Sequence, residues 1–360
     1  MIRIAERSKR SLRCVLTGPA GTGKTHSALL MAAGLRRESG KIVLIDTENS
    51  ADLEQGKPGI PDFFVLPVSA PFSPKFIVAA MKEAMNFGAE VVIIDTASRC
   101  WEGEGGTLDQ KEKIGADWSA WAKVMPEMNR MLSAMTSYPL HLIITLRTKT
   151  AWEVREQEKA GRVRMQPVKI GLKPNQKEGF EYEFDLVFGL NQEHEAESQK
   201  DRTSLFDGKE PSVITLETGS MIRDWLNSGT GESPLERFQK SFAVLESVKK
   251  EIAGIENKET LISFWKVRDA EMRAVLNPEH YQEFMTSLTA AKVEFNAAVN
   301  LAWIQNELPN LPTIQILTAW ERQNTAKLSE LGSLKDEAFS LIEARKNELA
   351  AEKLGKELLN

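Results

Sequence analysis

Gly18-Pro-Ala-Gly-Thr-Gly-Lys-Thr25 directly follows the apolar run Leu12 to Leu16. The octapeptide fits the pattern of a glycine, four residues, then Gly-Lys-Thr, and its flanks predict a strand before it and a helix after it. Glycines at 18, 21 and 23 let the backbone curl with its N–H groups facing inward, so that a row of fixed donors and a helix N-terminus meet one anion. In such a loop Lys24 reaches the β- and γ-phosphates of a nucleotide and the Thr25 hydroxyl takes a place on Mg²⁺, while Thr22 and His26 complete the nucleotide-contacting set. A glycine-rich turn without a ligand is the plainer alternative. The strand and helix on either side are what phosphate binding demands and a bare turn does not.

Length and composition bound the remainder. With 360 residues, 42% hydrophobic and 27% charged, the chain suits a globular protein with one domain of ordinary size and a second, smaller one. The first ten residues lack the apolar core of a signal peptide and no run of eighteen apolar residues occurs, so a cytoplasmic protein without membrane contact is expected. Cys14 and Cys100 fall in or just after apolar strands, which reads as buried small hydrophobes and not a disulfide. Four scattered histidines and no Cys-x-x-Cys leave no zinc site to expect. A net charge of −5 means that contact with nucleic acid must come from local basic patches.

The pattern changes near residue 230. Through residue 229, apolar runs of strand length alternate with helical stretches, as in an α/β domain with a mostly parallel sheet. The expected strands are Leu12–Leu16, Lys41–Asp46, Phe63–Pro67, Val91–Asp95, Leu140–Leu146 and Phe184–Leu190. Their continuous apolar character predicts burial on both faces. After the small-residue stretch Asn227 to Pro234, residues 230–360 carry apolar positions at helical spacing among many charges, predicting an all-helical C-terminal domain. Trp265, Leu276 and Phe284 recur 55 residues later as Trp320, Leu331 and Phe339, which suggests two helical hairpins as a repeat; chance matching of three positions is the alternative.

Two acids add to the phosphate loop. Val91-Val-Ile-Ile-Asp95 is an apolar strand ending in a carboxylate, the type of element that holds Mg²⁺ beside a P-loop. Lys41-Ile-Val-Leu-Ile-Asp-Thr-Glu48 places an acid just past the end of another strand. At the carboxyl edge of a parallel sheet a carboxylate can orient and deprotonate an attacking water, which makes Glu48 the candidate general base.

These elements together resemble the core of RecA-type recombinases and their helicase relatives: the P-loop, Ile45-Asp-Thr-Glu48 followed by Asp52, the Phe63–Pro67 strand and the Asp95 strand. The resemblance implies a RecA-like P-loop NTPase core that binds ATP and Mg²⁺, with Glu48 activating water and Asp52 near the adenine or ribose. Lys200-Asp-Arg202 resembles the Lys-x-Arg element with which RecA-like and DnaB-like ATPases reach a neighbouring subunit's γ-phosphate. It implies a homo-oligomeric ring or filament whose active site spans two protomers, Lys200 and Arg202 stabilising transition-state charge. Residues 165–207 also resemble phage-encoded RecA-like ATPases found among recombination genes, some of them single-strand annealing proteins; the resemblance covers about residues 11–227. Where RecA closes its fourth core strand with a glutamine, this chain has Leu146-Arg-Thr-Lys149, so Arg147 stands as a charged γ-phosphate sensor.

Nucleic-acid binding rests on local charge. From Arg147 to Gly179 nine basic residues face four glutamates, a net of +5 in an acidic protein. Lys149, Trp152, Arg155, Arg162, Arg164 and Lys169 are the expected contacts of a loop or hairpin that tracks single-stranded DNA phosphates while an aromatic stacks on a base. A solvated charged face is the alternative. The loop from Trp101 to Gly106 stands where these ATPases place another DNA-facing loop, but its glutamates oppose phosphate contact; Trp118 and Trp121, at near-helical spacing, read as packing residues before stacking ones. The functional expectation is an ATPase acting on single-stranded DNA in recombination or annealing. A helicase or helicase-loading motor, and a nucleotide-gated ATPase whose helical tail holds a protein partner, are the two alternatives.

Overall fold

A computed structural model of the chain describes residue 4, residues 6–159 and residues 162–358, with backbone alone over 151–171 and 355–358. The chain divides into two units, residues 1–237 and 238–360.

Among the described residues the first unit is built on nine strands: β1 (Arg13–Gly18), β2 (Lys41–Asp46), β3 (Phe64–Pro67), β4 (Ala89–Asp95), β5 (His141–Lys159), β6 (Arg162–Pro174), β7 (Leu186–Leu190), β8 (Glu195–Asp201) and β9 (Ser212–Val213). They lie in the order β3-β2-β4-β5-β1-β7-β8-β9, with β6 paired to β5. The six strands from β3 to β7 are mutually parallel, whereas β8 and β9 add antiparallel strands at the far side. Every residue of β1 and β4 is buried, the consequence of apolar runs covered by helices on both faces. The α/β P-loop core with a mostly parallel sheet, followed by a helical region, is the fold expected from the sequence.

Helices α1 (Lys24–Leu35), α2 (Pro74–Asn86), α3 (Arg99–Glu102), α4 (Thr107–Ile114), α5 (Ser119–Ser137) and α6 (Leu216–Asn227) surround this sheet. Helices α1 and α6 cross with their backbones nearly touching. A Cβ on Gly34 would stand 1.9 Å from the Leu216 carbonyl oxygen, and one on Gly219 would stand 2.1 Å from that of Met31. The core between helices and sheet holds Leu12, Cys14, Leu16, Leu29, Ile93, Ile143 and Ile222. Both cysteines are free and buried, and burial pushes the Cys100 thiol up to about 12, so they serve as packing atoms.

Strand β5 differs most from its sequence-based boundaries, which ended it at Leu146. It continues out of the parallel sheet to Lys159 and pairs with β6 as a two-stranded ribbon from Thr148↔Pro174 to Lys159↔Arg162. At about 3.4 Å per residue the ribbon is roughly 40 Å long.

The second unit holds most of α7 (Pro234–Ala253), then α8 (Lys258–Val275), α9 (Pro278–Glu307), α10 (Ile314–Gln323), α11 (Thr325–Ser329) and α12 (Lys335–Leu358). Asn257, Asn277 and Thr313 cap α8, α9 and α10, each side chain accepting a backbone N–H of the first turn. Apolar residues form two clusters, one around Leu245, Met272 and Phe284, the other around Ile304, Trp320 and Ile342. The positions of the suggested repeat are not equivalent: Trp265 is 39% exposed, whereas Trp320 is 8% exposed and stacks on Trp303. Among the described residues no helix is long and apolar enough to cross a membrane.

Candidate functional site

Parallel pairing gathers the expected nucleotide-binding and hydrolytic residues of β1, β2, β4 and β5 at one edge. The carboxyl ends of β1, β2 and β4, and the point where β5 leaves the parallel sheet, deliver the P-loop, Glu48, Asp95 and Arg147, with Gly18 directly opposite Arg147 and Asp46 opposite Asp95. Ligands of open α/β sheets bind at this edge.

The P-loop closes on itself through the Pro19 carbonyl. It accepts from Thr22 Oγ1 at 3.0 Å and from Lys24 Nζ at 2.7 Å. Gly23 starts α1 with φ at 77°, and a Cβ there would stand 3.2 Å from His194 Nδ1. His194, on the β7–β8 turn, thus borders the loop, a neighbour that no local sequence signal announced. Burial lowers the pKa of Lys24; Asp95 and Glu48 oppose that shift and Arg147 adds to it.

Asp95 is buried, and hydroxyls hold both of its oxygens. Thr25 Oγ1 donates to Oδ2 at 2.6 Å, and Thr145 donates to Oδ1. Burial raises the Asp95 pKa, the two hydroxyl bonds work against it, and the charges of Glu48 and Asp46 push it further up. A divalent cation beside Thr25 and Asp95 would favour the ionised carboxylate, so this donor set fits Mg²⁺. Thr145 is the only polar side chain in the run Leu142-Ile-Ile-Thr-Leu146, a signal available in the sequence and not used.

Glu48 lies in the loop after β2 and is paired with Arg147. The Arg147 Nε and one terminal nitrogen each lie 2.7 Å from Glu48 Oε1. Arg147 sits where β5 leaves the parallel sheet. Its N–H donates to Ser98 Oγ at 3.0 Å and its carbonyl accepts from the Asn175 N–H at 2.7 Å, so both strands of the ribbon begin at this residue.

The remaining candidates are placed as follows. His26 leaves the P-loop and meets Glu54 Oε2 at 2.8 Å through Nδ1. Asp52 is exposed on the same short turn as Glu54, Ala51–Glu54. Lys200 and Arg202 lie at the opposite edge of the sheet, because β8 runs antiparallel away from the P-loop. From Leu190↔Ala196 to Leu186↔Asp201 is four to five residues, roughly 15 Å. There Lys200 donates to the Tyr182 carbonyl, and Arg202 meets Asp185 Oδ1 at 3.3 Å. A Lys-x-Arg element so placed serves no phosphate in its own protomer.

Two aromatic expectations need separating. Trp121 stacks on Trp101 at 5.9 Å between centroids, as a packing residue does. Trp118 is 85% exposed and is not one; it stands at the N-cap of α5, ahead of the helix's buried stripe Ala120, Val124, Met128, Met131 and Met135.

In the ribbon, the side chains of Trp152, Arg155, Arg162, Arg164 and Lys169 lie outside the described residues, and the backbone register alone places these positions. Positions 149, 153, 155, 157 and 159 share one face with 173, 168, 166, 164 and 162. That face carries Lys149, Arg155, Lys159, Arg162, Arg164 and Lys173 against one acid, Glu153. The other face carries Trp152, Val154, Val163, Met165, Pro167 and Lys169, with Glu156 and Glu158. The register shift between Ala151 and Trp152 leaves Ile170 unpaired on β6 and lets the two strands keep this division. The six expected DNA contacts are therefore split between faces, Trp152 and Lys169 falling opposite the other four.

No curated protein matches the sequence. Residues 10–218, from just before β1 into α6 and more than half of the chain, match the family described as an AAA domain. With its P-loop, its buried Asp95 and its parallel sheet, the chain carries a P-loop AAA-type ATPase domain and belongs to the AAA domain family.

Proposed function

We propose that this protein is a RecA-like, Mg²⁺-dependent ATPase of phage type that acts on single-stranded DNA in recombination or strand annealing. The observation that carries the DNA reading is the two-faced ribbon rooted at Arg147. A six-cation face rises from the residue that also binds the candidate base, so a strand lying on the ribbon is one residue from the nucleotide site. Same-face neighbours are about 6.8 Å apart along a strand, twice the axial rise of about 3.4 Å per phosphate along one nucleic-acid strand.

In this reading Gly18, Gly21, Thr22, Gly23 and Lys24 hold the phosphates, and Thr25 with Asp95 holds the cation. Bound ATP and Mg²⁺ supply the phosphoanhydride to be cleaved and the charge that neutralises its oxygens. Glu48 orients water in line with the γ-phosphate and takes its proton at the carboxylate, once Arg147 turns from Glu48 to the phosphate. Lys200 and Arg202, on the far edge, serve the site of an adjoining protomer in a ring or filament.

The test is ATP hydrolysis with and without a single-stranded oligonucleotide at low and physiological salt. Stimulation that fades as salt rises is expected. Turnover indifferent to DNA, with no binding at low salt, refutes the DNA reading and favours a partner-binding ATPase. Directional displacement of a strand from a fork would assign a helicase motor instead.

A further inference from the structure

Glu48 follows a buried acid that the phosphate chemistry does not itself use. Asp46 closes β2, and its carboxylate accepts from the loop after it. Oδ1 accepts the N–H groups of Glu48 at 2.8 Å and Asn49 at 2.9 Å; Oδ2 accepts those of Ser50 and Ala51, both at 2.9 Å. Four consecutive backbone donors thus converge on one carboxylate, a concave anion nest built by the chain around its own side chain. Asn49 takes φ of 54° within it, a conformation that asparagine tolerates and branched residues do not.

The nest is also tied to the metal-side strand. The Thr47 N–H donates to the Asp95 carbonyl at 2.8 Å, Thr47 Oγ1 to the same carbonyl at 3.2 Å, and the Thr96 N–H returns to Thr47 Oγ1 at 2.9 Å. Glu48 stands between these two restraints. Its backbone N–H is fixed by Asp46, and its side chain is directed toward Arg147 over the carboxyl ends of β1 and β5.

We propose that Asp46 is a positioning residue for hydrolysis: by holding the N–H groups of residues 48–51 on one buried carboxylate, it fixes the backbone from which Glu48 addresses the attacking water. The inference rests on the reading of Glu48 as the base. All four contacts are donors, so both Asp46 oxygens must act as acceptors. An amide would turn one acceptor into a donor and set it against two of them.

The test is a cycle of D46N, E48Q and the double variant, with kcat and KM for ATP, binding of a fluorescent ATP analogue, and thermal melting. D46N is expected to lower kcat at least tenfold, to change analogue affinity less than twofold, and to cost less than twofold further in the E48Q background. An equal cost in both backgrounds, or an unchanged kcat, overturns the positioning role. Full turnover in E48Q overturns the assignment of Glu48 and the inference with it, so the two failures are distinguishable. If D46N does not fold, Asn49→Val strains the same turn from an exposed position. It must slow the wild type and leave E48Q unchanged, and the opposite pattern overturns the proposal.

Discussion

Neutralising one face of the ribbon is the perturbation with the most direct arithmetic. Arg155, Lys159, Arg162 and Arg164 occupy adjacent register positions on that face, and changing all four to glutamine removes four cations without touching the nucleotide edge. Each phosphate contact on a single strand contributes about 0.7 to the slope of log K against log salt. Loss of four contacts therefore flattens the slope by about 2.8. Across a fourfold change of salt, such as 50 to 200 mM, a slope of 2.8 corresponds to about a 50-fold change in affinity, which the variant would no longer show. Fluorescence anisotropy of a labelled oligonucleotide, titrated at four or five salt concentrations, measures it. Lys169→Gln, on the opposite face, is the control and is expected to leave the slope at its wild-type value and not lower it by about 0.7, the share that one phosphate contact carries. Equal slopes for the four-residue variant and the wild type would refute the face assignment, as would a Lys169→Gln effect as large as that of the four together. The four changes are expected to cost little stability, because Lys159 and Arg162 are directly opposed like charges.

Further expectations concern the nucleotide site and the fold. Lys24→Ala should abolish turnover with an unchanged melting temperature, and Glu48→Gln should lower it by about 10²–10⁴-fold; steady-state ATP hydrolysis decides both. His141 is buried and accepts the Leu12 N–H at Nδ1 at 3.0 Å; burial first, then the charges of Arg13 and Arg37, push its pKa down to about 3. The unfolded chain takes up this proton near pH 6.5 and the folded chain does not, so stability falls as pH drops below that point, by about 2 kcal/mol at pH 5 from this group. Urea unfolding of the wild type and His141→Asn at pH 7 and pH 5 should show the smaller pH dependence in the variant. Gly34→Ala drives a methyl into the Leu216 carbonyl and should destabilise the first unit by about 1–3 kcal/mol or more, read from the same unfolding curves.

The residues that meet at the carboxyl edge of the sheet were legible because each sits at a strand end in a local pattern. A P-loop, an apolar strand ending in Asp95 and a strand followed by Glu48 can be read from a few adjacent residues, since strand, turn and helix preferences are local. The α/β class and the helical region after it followed from the same periodicities. Partners contributed by distant segments were not legible. Ser98 and His194 enter the site through the turn after β4 and the β7–β8 turn, and only the strand order brings them beside Arg147 and Gly23.

The basic segment after Arg147 shows the same division most sharply. Its composition alone determined a net positive charge and a candidate for nucleic-acid contact. Which cations act together depended on antiparallel pairing and on one unpaired residue, Ile170, because the side-chain period of a strand is two and a one-residue shift moves a residue to the other face. Likewise Lys200 and Arg202 were recognisable as a pair of cations, while their distance from their own P-loop came from β8 running back across the sheet. The sequence by itself determined which residues carry charge, anion-binding backbone and apolar strands. Tertiary structure decided which of them face one another, because long-range pairing is set by the packing of the whole sheet and not by neighbours in the chain.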